Sequence, residues 1–119
     1  MAKKILIADD DKTLAKLMGS FLEENGYQVV LAYDGEEALK KVQYEMPDLI
    51  LLDVVMPKIN GYSFLFEVRK LEQGAGTPII VLTSKEDMGD IFKVEGVKEY
   101  LVKPFHNREL LEKIKKHIG

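Results

Sequence analysis

The sequence predicts an α/β domain: a parallel β-sheet covered by helices on both faces. Three observations predict it. Short apolar runs bounded by turn residues recur along the chain, as expected of strands buried on both sides. Amphipathic helical periods fall between them, so strand and helix alternate five times, the pattern of βαβ units. The apolar runs also end in polar or charged residues, and open α/β sheets do their chemistry at the carboxyl ends of the strands.

The elements follow in order. Lys4–Ala8 reads as a first buried strand, ending in Asp9-Asp10-Asp11. Leu14, Leu17, Met18, Phe21 and Leu22 then fall on one face of a helix, with Gly26 as its stop. Gln28–Ala32 is a short second strand. Asp34 caps a second helix that buries Ala38, Leu39 and Val42 and ends before Pro47. Leu49–Leu52 is the central strand, closed by Asp53, and Pro57 forbids further ladder pairing. Asn60-Gly61 turns into a third helix that offers Phe64, Leu65, Val68 and Leu71 to the core. Ile79–Leu82 is a fourth buried strand ending at Thr83. A weaker helical stretch covers about 86–94, where Gly89 interrupts and the apolar face gives out at Glu95. Tyr100–Val102 is a fifth strand ending at Lys103-Pro104, and Asn107 caps a last helix carrying Leu110, Leu111, Ile114 and Ile118.

Composition bounds the function. With 119 residues the chain fits one domain, 1–119, with one core. It is 46% apolar and 31% charged, the balance of a globular soluble protein. A net charge of -3 gives no electrostatic reason to expect nucleic acid as a partner. There is no cysteine, which removes disulfides, thiolate chemistry and cysteine-rich zinc sites. No run is long enough for a signal peptide or a membrane span, so the expectation is a cytoplasmic protein with no membrane partner.

Four strand ends meet on one edge in this reading, carrying Asp9 and Asp10, Asp53, Thr83 and Lys103. Clustered carboxylates repel unless a cation joins them, and oxygen donors suit a hard divalent ion, Mg2+ first. Three carboxylates and one ammonium leave the pocket near -2, which one Mg2+ neutralises. Esterifying Asp53 with a phosphoryl group of roughly -2 would give about -1 with the ion and about -3 without it. Transfer should therefore require the ion. The competing reading of Asp53 alone is a turn or capping aspartate.

Together these stretches resemble the receiver domain of bacterial two-component response regulators, of the stand-alone chemotaxis-regulator type. The matching pieces are Ile5-Leu-Ile-Ala-Asp9-Asp10-Asp11, Pro47-Asp-Leu-Ile-Leu-Leu-Asp53-Val-Val-Met-Pro57, Asn60-Gly61, Pro78-Ile-Ile-Val-Leu-Thr83-Ser84 and Tyr100-Leu-Val-Lys103-Pro104-Phe105. The resemblance implies a flavodoxin-like (βα)5 three-layer sandwich with strand order 2-1-3-4-5. It implies that Asp53 takes a phosphoryl group from a sensor histidine kinase or phosphotransfer protein. It places Mg2+ on Asp10, Asp53 and the carbonyl of Val55, with Asp9 assisting, and brings Lys103 and Thr83 to the phosphoryl oxygens. Tyr100 becomes a switch aromatic coupled to Thr83, the Lys103-Pro104 peptide is expected to be cis, and a downstream target protein reads the phosphorylated state. Such a protein is no enzyme beyond its own phosphorylation and dephosphorylation. Kinase docking is expected on a solvent face of the first helix made by Lys12, Ala15, Lys16, Gly19 and Ser20, with Ala15 and Lys16 setting kinase preference. Val55 and Lys85 would tune the phosphoryl lifetime.

One departure stands out. Thr83 and Lys103 lie 20 positions apart, a slightly shorter interval than receivers usually have. The shortening falls in the fourth helical stretch, so a short, mobile helix and a monomer are expected. Asp11 is read as a cap for the first helix, His106 and His117 as solvated, and Lys113, Lys115 and Lys116 as a solvated face near a helix C-terminus. No output domain follows the last helix, which suggests a stand-alone receiver or one excised from a longer protein.

Other classes lack their residues. There is no Gly-rich turn ending in Gly-Lys-Ser/Thr, and Gly74-Ala75-Gly76 precedes a strand instead of following one. An aspartate-based phosphatase would want an acid where Val55 stands. A flavin-binding flavodoxin would need a phosphate loop where this chain has three acids. The remaining alternative is a receiver-fold scaffold that works by protein binding alone.

Overall fold

The computed structural model describes residues 2–53, 61–71, 76–83 and 97–119, with the side chains of 61, 62, 97 and 98 left aside. Five strands form one parallel sheet: β1 (Lys4–Ala8), β2 (Gln28–Ala32), β3 (Leu49–Asp53), β4 (Ile79–Thr83) and β5 (Val97–Val102). Their order is β2-β1-β3-β4-β5, as expected. β3 and β4 are buried at every position, while β2, at an edge, is only partly covered. That is why β3 and β4 read as unbroken apolar runs.

The pleat sorts the core into two halves. Leu6, Ala8, Ile50, Leu52 and Val81 point to one face, where α2 (Gly35–Glu45) supplies Ala38 and Val42 and α3 (Gly61–Val68) supplies Phe64, Leu65 and Val68. Ile5, Ile7, Leu49, Leu51 and Leu82 point to the other. There α1 (Lys12–Glu24) supplies Ala15, Met18 and Leu22, and the last helix (Asn107–Ile118) supplies Leu110 and Ile114. Burying both faces of one sheet is the main stabilising term of this architecture.

Local signals set the helix ends. Asp11 caps α1, its side chain accepting from the Leu14 amide at 3.0 Å. At the other end the Gly26 amide donates to Glu23 and the Tyr27 amide to Leu22, a Schellman arrangement that needs the positive φ of Gly26, 93°. Asp34 caps α2 through the Glu37 amide at 2.8 Å, and the Glu37 carboxylate accepts from the Tyr33 amide at 2.7 Å.

Five expectations need correction. Ala15 and Gly19 do not lie on a solvent face; both are buried. A Cβ on Gly19 would sit 3.2 Å from Val29 Cγ1, so the small residues let α1 lie close on β2. Leu17, expected inward, is 65% exposed. Asn107 does not cap the last helix: His106 is the cap residue, in extended conformation and without a side-chain cap bond, and the chain is already helical at Asn107. β5 begins at Val97, not Tyr100, and a register slip pairs Ile79 with Val97 but Ile80 with Glu99. This bulge aims Glu99 toward the last helix, where its carboxylate meets Lys113 at 3.3 Å, Lys116 at 2.8 Å and His117 Nε2 at 3.3 Å. Those three residues are therefore partners of Glu99, not a merely solvated face. His106 and Lys115 are exposed as expected. The weak helical stretch at 86–94, with Lys85, lies outside the described residues.

Candidate metal and phosphoryl site

The sheet register builds the site. Ala8 lies opposite Leu52, so the next residues, Asp9 and Asp53, leave β1 and β3 side by side. Thr83 ends β4 beside them, and the Lys103 amide donates to the Thr83 carbonyl at 2.7 Å, which fixes where the chain leaves β5. The Lys103-Pro104 peptide is cis.

One carboxylate oxygen from each of Asp9, Asp10 and Asp53 can be chosen so that all three lie within 4.8 Å of one another. Their environments differ. Asp9 is fully buried, Asp53 is 9% exposed and Asp10 is open to solvent. Asp9 is held on both oxygens: Oδ1 accepts from the Asp11 amide at 3.0 Å and Oδ2 from Lys103 Nζ at 3.2 Å. Lys103 Nζ also reaches Asp53 Oδ2 at 3.3 Å, so one ammonium bridges two strand ends. Burial pulls the Lys103 pKa down, but Asp53 and Asp9 push it up by more, and it stands above its ordinary value. The ammonium stays charged throughout the neutral range.

The donor set fits a hard divalent ion. It offers only carboxylate oxygens, one of them solvent-facing, and the single lysine leaves net negative charge to be neutralised. Thr83 is 2% exposed and stands on the same edge. Tyr100 lies on the opposite face of β5 from Glu99 and Leu101, half-buried against the α2/α3 core. The structure thus brings together Asp9, Asp10, Asp53, Thr83 and Lys103. Val55 lies outside the described residues, and Lys16 is exposed on α1. Sequence reasoning missed that Lys103 engages Asp9 as firmly as Asp53. It also missed an apolar groove beside the site, lined by Leu14, Leu17, Met18, Pro104 and Phe105. The sequence carries no signal for it, because Leu17 falls on the same apolar stripe as the buried Met18.

Comparison with known proteins converges on one family. The response regulator receiver domain family matches residues 5–115. The alkaline phosphatase synthesis transcriptional regulatory protein PhoP of Bacillus subtilis is 43% identical over 117 residues, 97% of this chain and 48% of that protein. The chain spans about half the length of the curated relatives it matches. Among solved structures, chemotaxis response regulator CheY4 of Vibrio cholerae superposes with a TM-score of 0.91 at 34% identity, covering 99% of this chain and 100% of that one. The receiver domain of sensor histidine kinase PA1611 of Pseudomonas aeruginosa, solved with a magnesium ion in its active site cleft, gives 0.91 at 32% identity over 100% and 99% of the two chains.

Proposed function

The chain belongs to the response regulator receiver domain family, and on that premise we propose that it is a phosphoacceptor whose Asp53 takes a phosphoryl group from a histidine kinase or phosphotransfer protein. One observation carries the reading: a nearly buried carboxylate on the central strand shares a lysine with a second carboxylate, and a third stands within 4.8 Å. A structural salt bridge would need one carboxylate. Three clustered carboxylates with one ammonium between two of them leave net negative charge for a cation to neutralise.

Asp10, Asp53 and the Val55 carbonyl would hold Mg2+, with Asp9 assisting; the magnesium in the active site cleft of the PA1611 receiver supports this. The ion would supply charge neutralisation at the phosphoryl oxygens. The chain's own residues do the rest. An Asp53 oxygen attacks phosphorus, the bond to the donor nitrogen breaks, and the imidazole leaves with the electron pair. Lys103, already drawn between Asp9 and Asp53, turns its ammonium to the incoming oxygens, and Thr83 donates from the same edge. With Thr83 drawn to the phosphoryl group, Tyr100 becomes free to repack, and a target protein distinguishes the two states. Among the described residues no helix is long and apolar enough to cross a membrane.

Acetyl phosphate with Mg2+ should add one phosphoryl group to the parent and none to Asp53→Asn, read by intact-mass spectrometry. Equal labelling of Asp53→Asn would move the site elsewhere.

A further inference from the structure

Lys12 opens α1 immediately after Asp9-Asp10-Asp11, and its Nζ lies over the Tyr33 ring, 5.2 Å from the centroid. Tyr33 leaves β2 at the same sheet edge, and the Asp9 amide donates to the carbonyl of Ala32, the residue before it, at 3.0 Å. The acidic pocket therefore has a cation on each flank. Lys103 comes from the β5 side and is consumed by Asp9 and Asp53. Lys12 stands on the β2 side, exposed, with an aromatic face as its contact. A ring face attracts an ammonium without neutralising it, so Lys12 keeps its full charge toward solvent.

We infer that Tyr33 positions Lys12 as a rim cation that raises the rate at which small anionic phosphodonors, acyl phosphates in particular, reach Asp53. The inference rests on the phosphoacceptor reading. With Mg2+ bound the pocket is near neutral, but the chain as a whole carries -3, so an approaching dianion is still repelled, and a fixed positive charge at the mouth offsets that repulsion by steering. The reaction is balanced without a proton: the Asp53 carboxylate attacks phosphorus, the bond to the acyl oxygen breaks, and acetate leaves with the electron pair.

The test is the second-order rate constant for labelling at saturating Mg2+ and low salt, read by intact-mass spectrometry. Two donors are compared: acetyl phosphate, a dianion, and phosphoramidate, whose ammonium leaves it a monoanion. Lys12→Gln should slow acetyl phosphate about threefold and phosphoramidate by a smaller factor. High salt should erase the difference. Tyr33→Leu should reproduce the loss, while Tyr33→Phe, which keeps the ring, and Lys12→Arg, which keeps the charge, should retain the parent rate. A labelled parent whose rate is unchanged by Lys12→Gln overturns this inference alone. So does a Tyr33→Phe protein as slow as Tyr33→Leu, because the ring would then not be what matters. A parent that takes no phosphoryl group from either donor overturns the phosphoacceptor reading as well.

Discussion

Tyr27 is buried at 7% exposure, and its hydroxyl oxygen has no hydrogen-bond partner among the described residues. It belongs to the core half that holds Ile5, Met18, Leu22 and Ile114, and burial pushes the phenol's pKa up and keeps it neutral. A buried polar group left unpaired costs about 1–3 kcal/mol, and deleting it without changing shape recovers part of that. Tyr27→Phe should therefore raise stability by about 1 kcal/mol, seen as a higher urea midpoint at constant slope. A lower midpoint would show that the hydroxyl has a partner after all. This residue was not legible in the sequence, because Tyr27 follows Gly26 in what reads as a loop and nothing marks its hydroxyl as enclosed. Asp53 was legible for the opposite reason: a carboxylate closing an unbroken apolar run is rare enough to draw notice. Asp11 and Asp34 were legible as caps because a short acceptor directly before a helical period has one obvious use.

At the scale of elements, what misled was size. The large apolar residues of α1 define a stripe through Leu14, Leu17, Met18, Phe21 and Leu22, yet the buried residues are Ala15, Met18, Gly19 and Leu22, so only Met18 and Leu22 belong to both sets. The true contact face is rotated by roughly a quarter of a turn, toward the small residues that permit close approach to β2. Hydrophobicity alone ranks alanine and glycine too low to reveal this. The bulge in β5 was equally hidden, since nothing in Val97–Val102 signals an extra residue. Its consequence is measurable. Glu99 is held at a pKa of about 2, first by the hydrogen bond from Lys116 and then, against the cost of burial, by Lys113. A depressed carboxylate contributes stability that is present above its ordinary pKa and lost as pH falls. The window here runs from about 4.5 down to about 2. Glu99→Gln should cost about 1–2 kcal/mol at neutral pH, since Lys116 is largely exposed and the pairing is screened. The two proteins should converge in stability as pH drops through that window. A gap that persists at the lowest pH would assign the effect to packing.

For the whole molecule, the site and its neighbouring groove share one end. The C-terminal edge of the sheet carries the acidic pocket, and beside it Leu14, Leu17, Met18, Pro104 and Phe105, with Lys103 and Asn107, line a mostly apolar depression between α1 and the segment that leads into the last helix. Leu17 is 65% exposed there with Lys16 beside it on α1, whereas Ala15, first expected to choose the kinase, is sealed against the sheet. The side chain that a docking helix would meet is therefore Leu17. Its exposure also separates binding from folding, because surface substitutions usually shift stability by less than about 0.5 kcal/mol. Leu17→Glu should slow phosphoryl transfer from a cognate kinase by at least about tenfold, the loss of an apolar anchor worth about 1.5 kcal/mol plus the repulsion of an added acid. Labelling by acetyl phosphate, which needs no docking, should be nearly unchanged. Lys16→Glu should shift the preference among kinases with a smaller loss of rate. The paired measurement is what decides. Equal slowing with kinase and with acetyl phosphate would mean that Leu17 acts on the pocket itself, and unchanged transfer from several kinases would place the docking surface on another face.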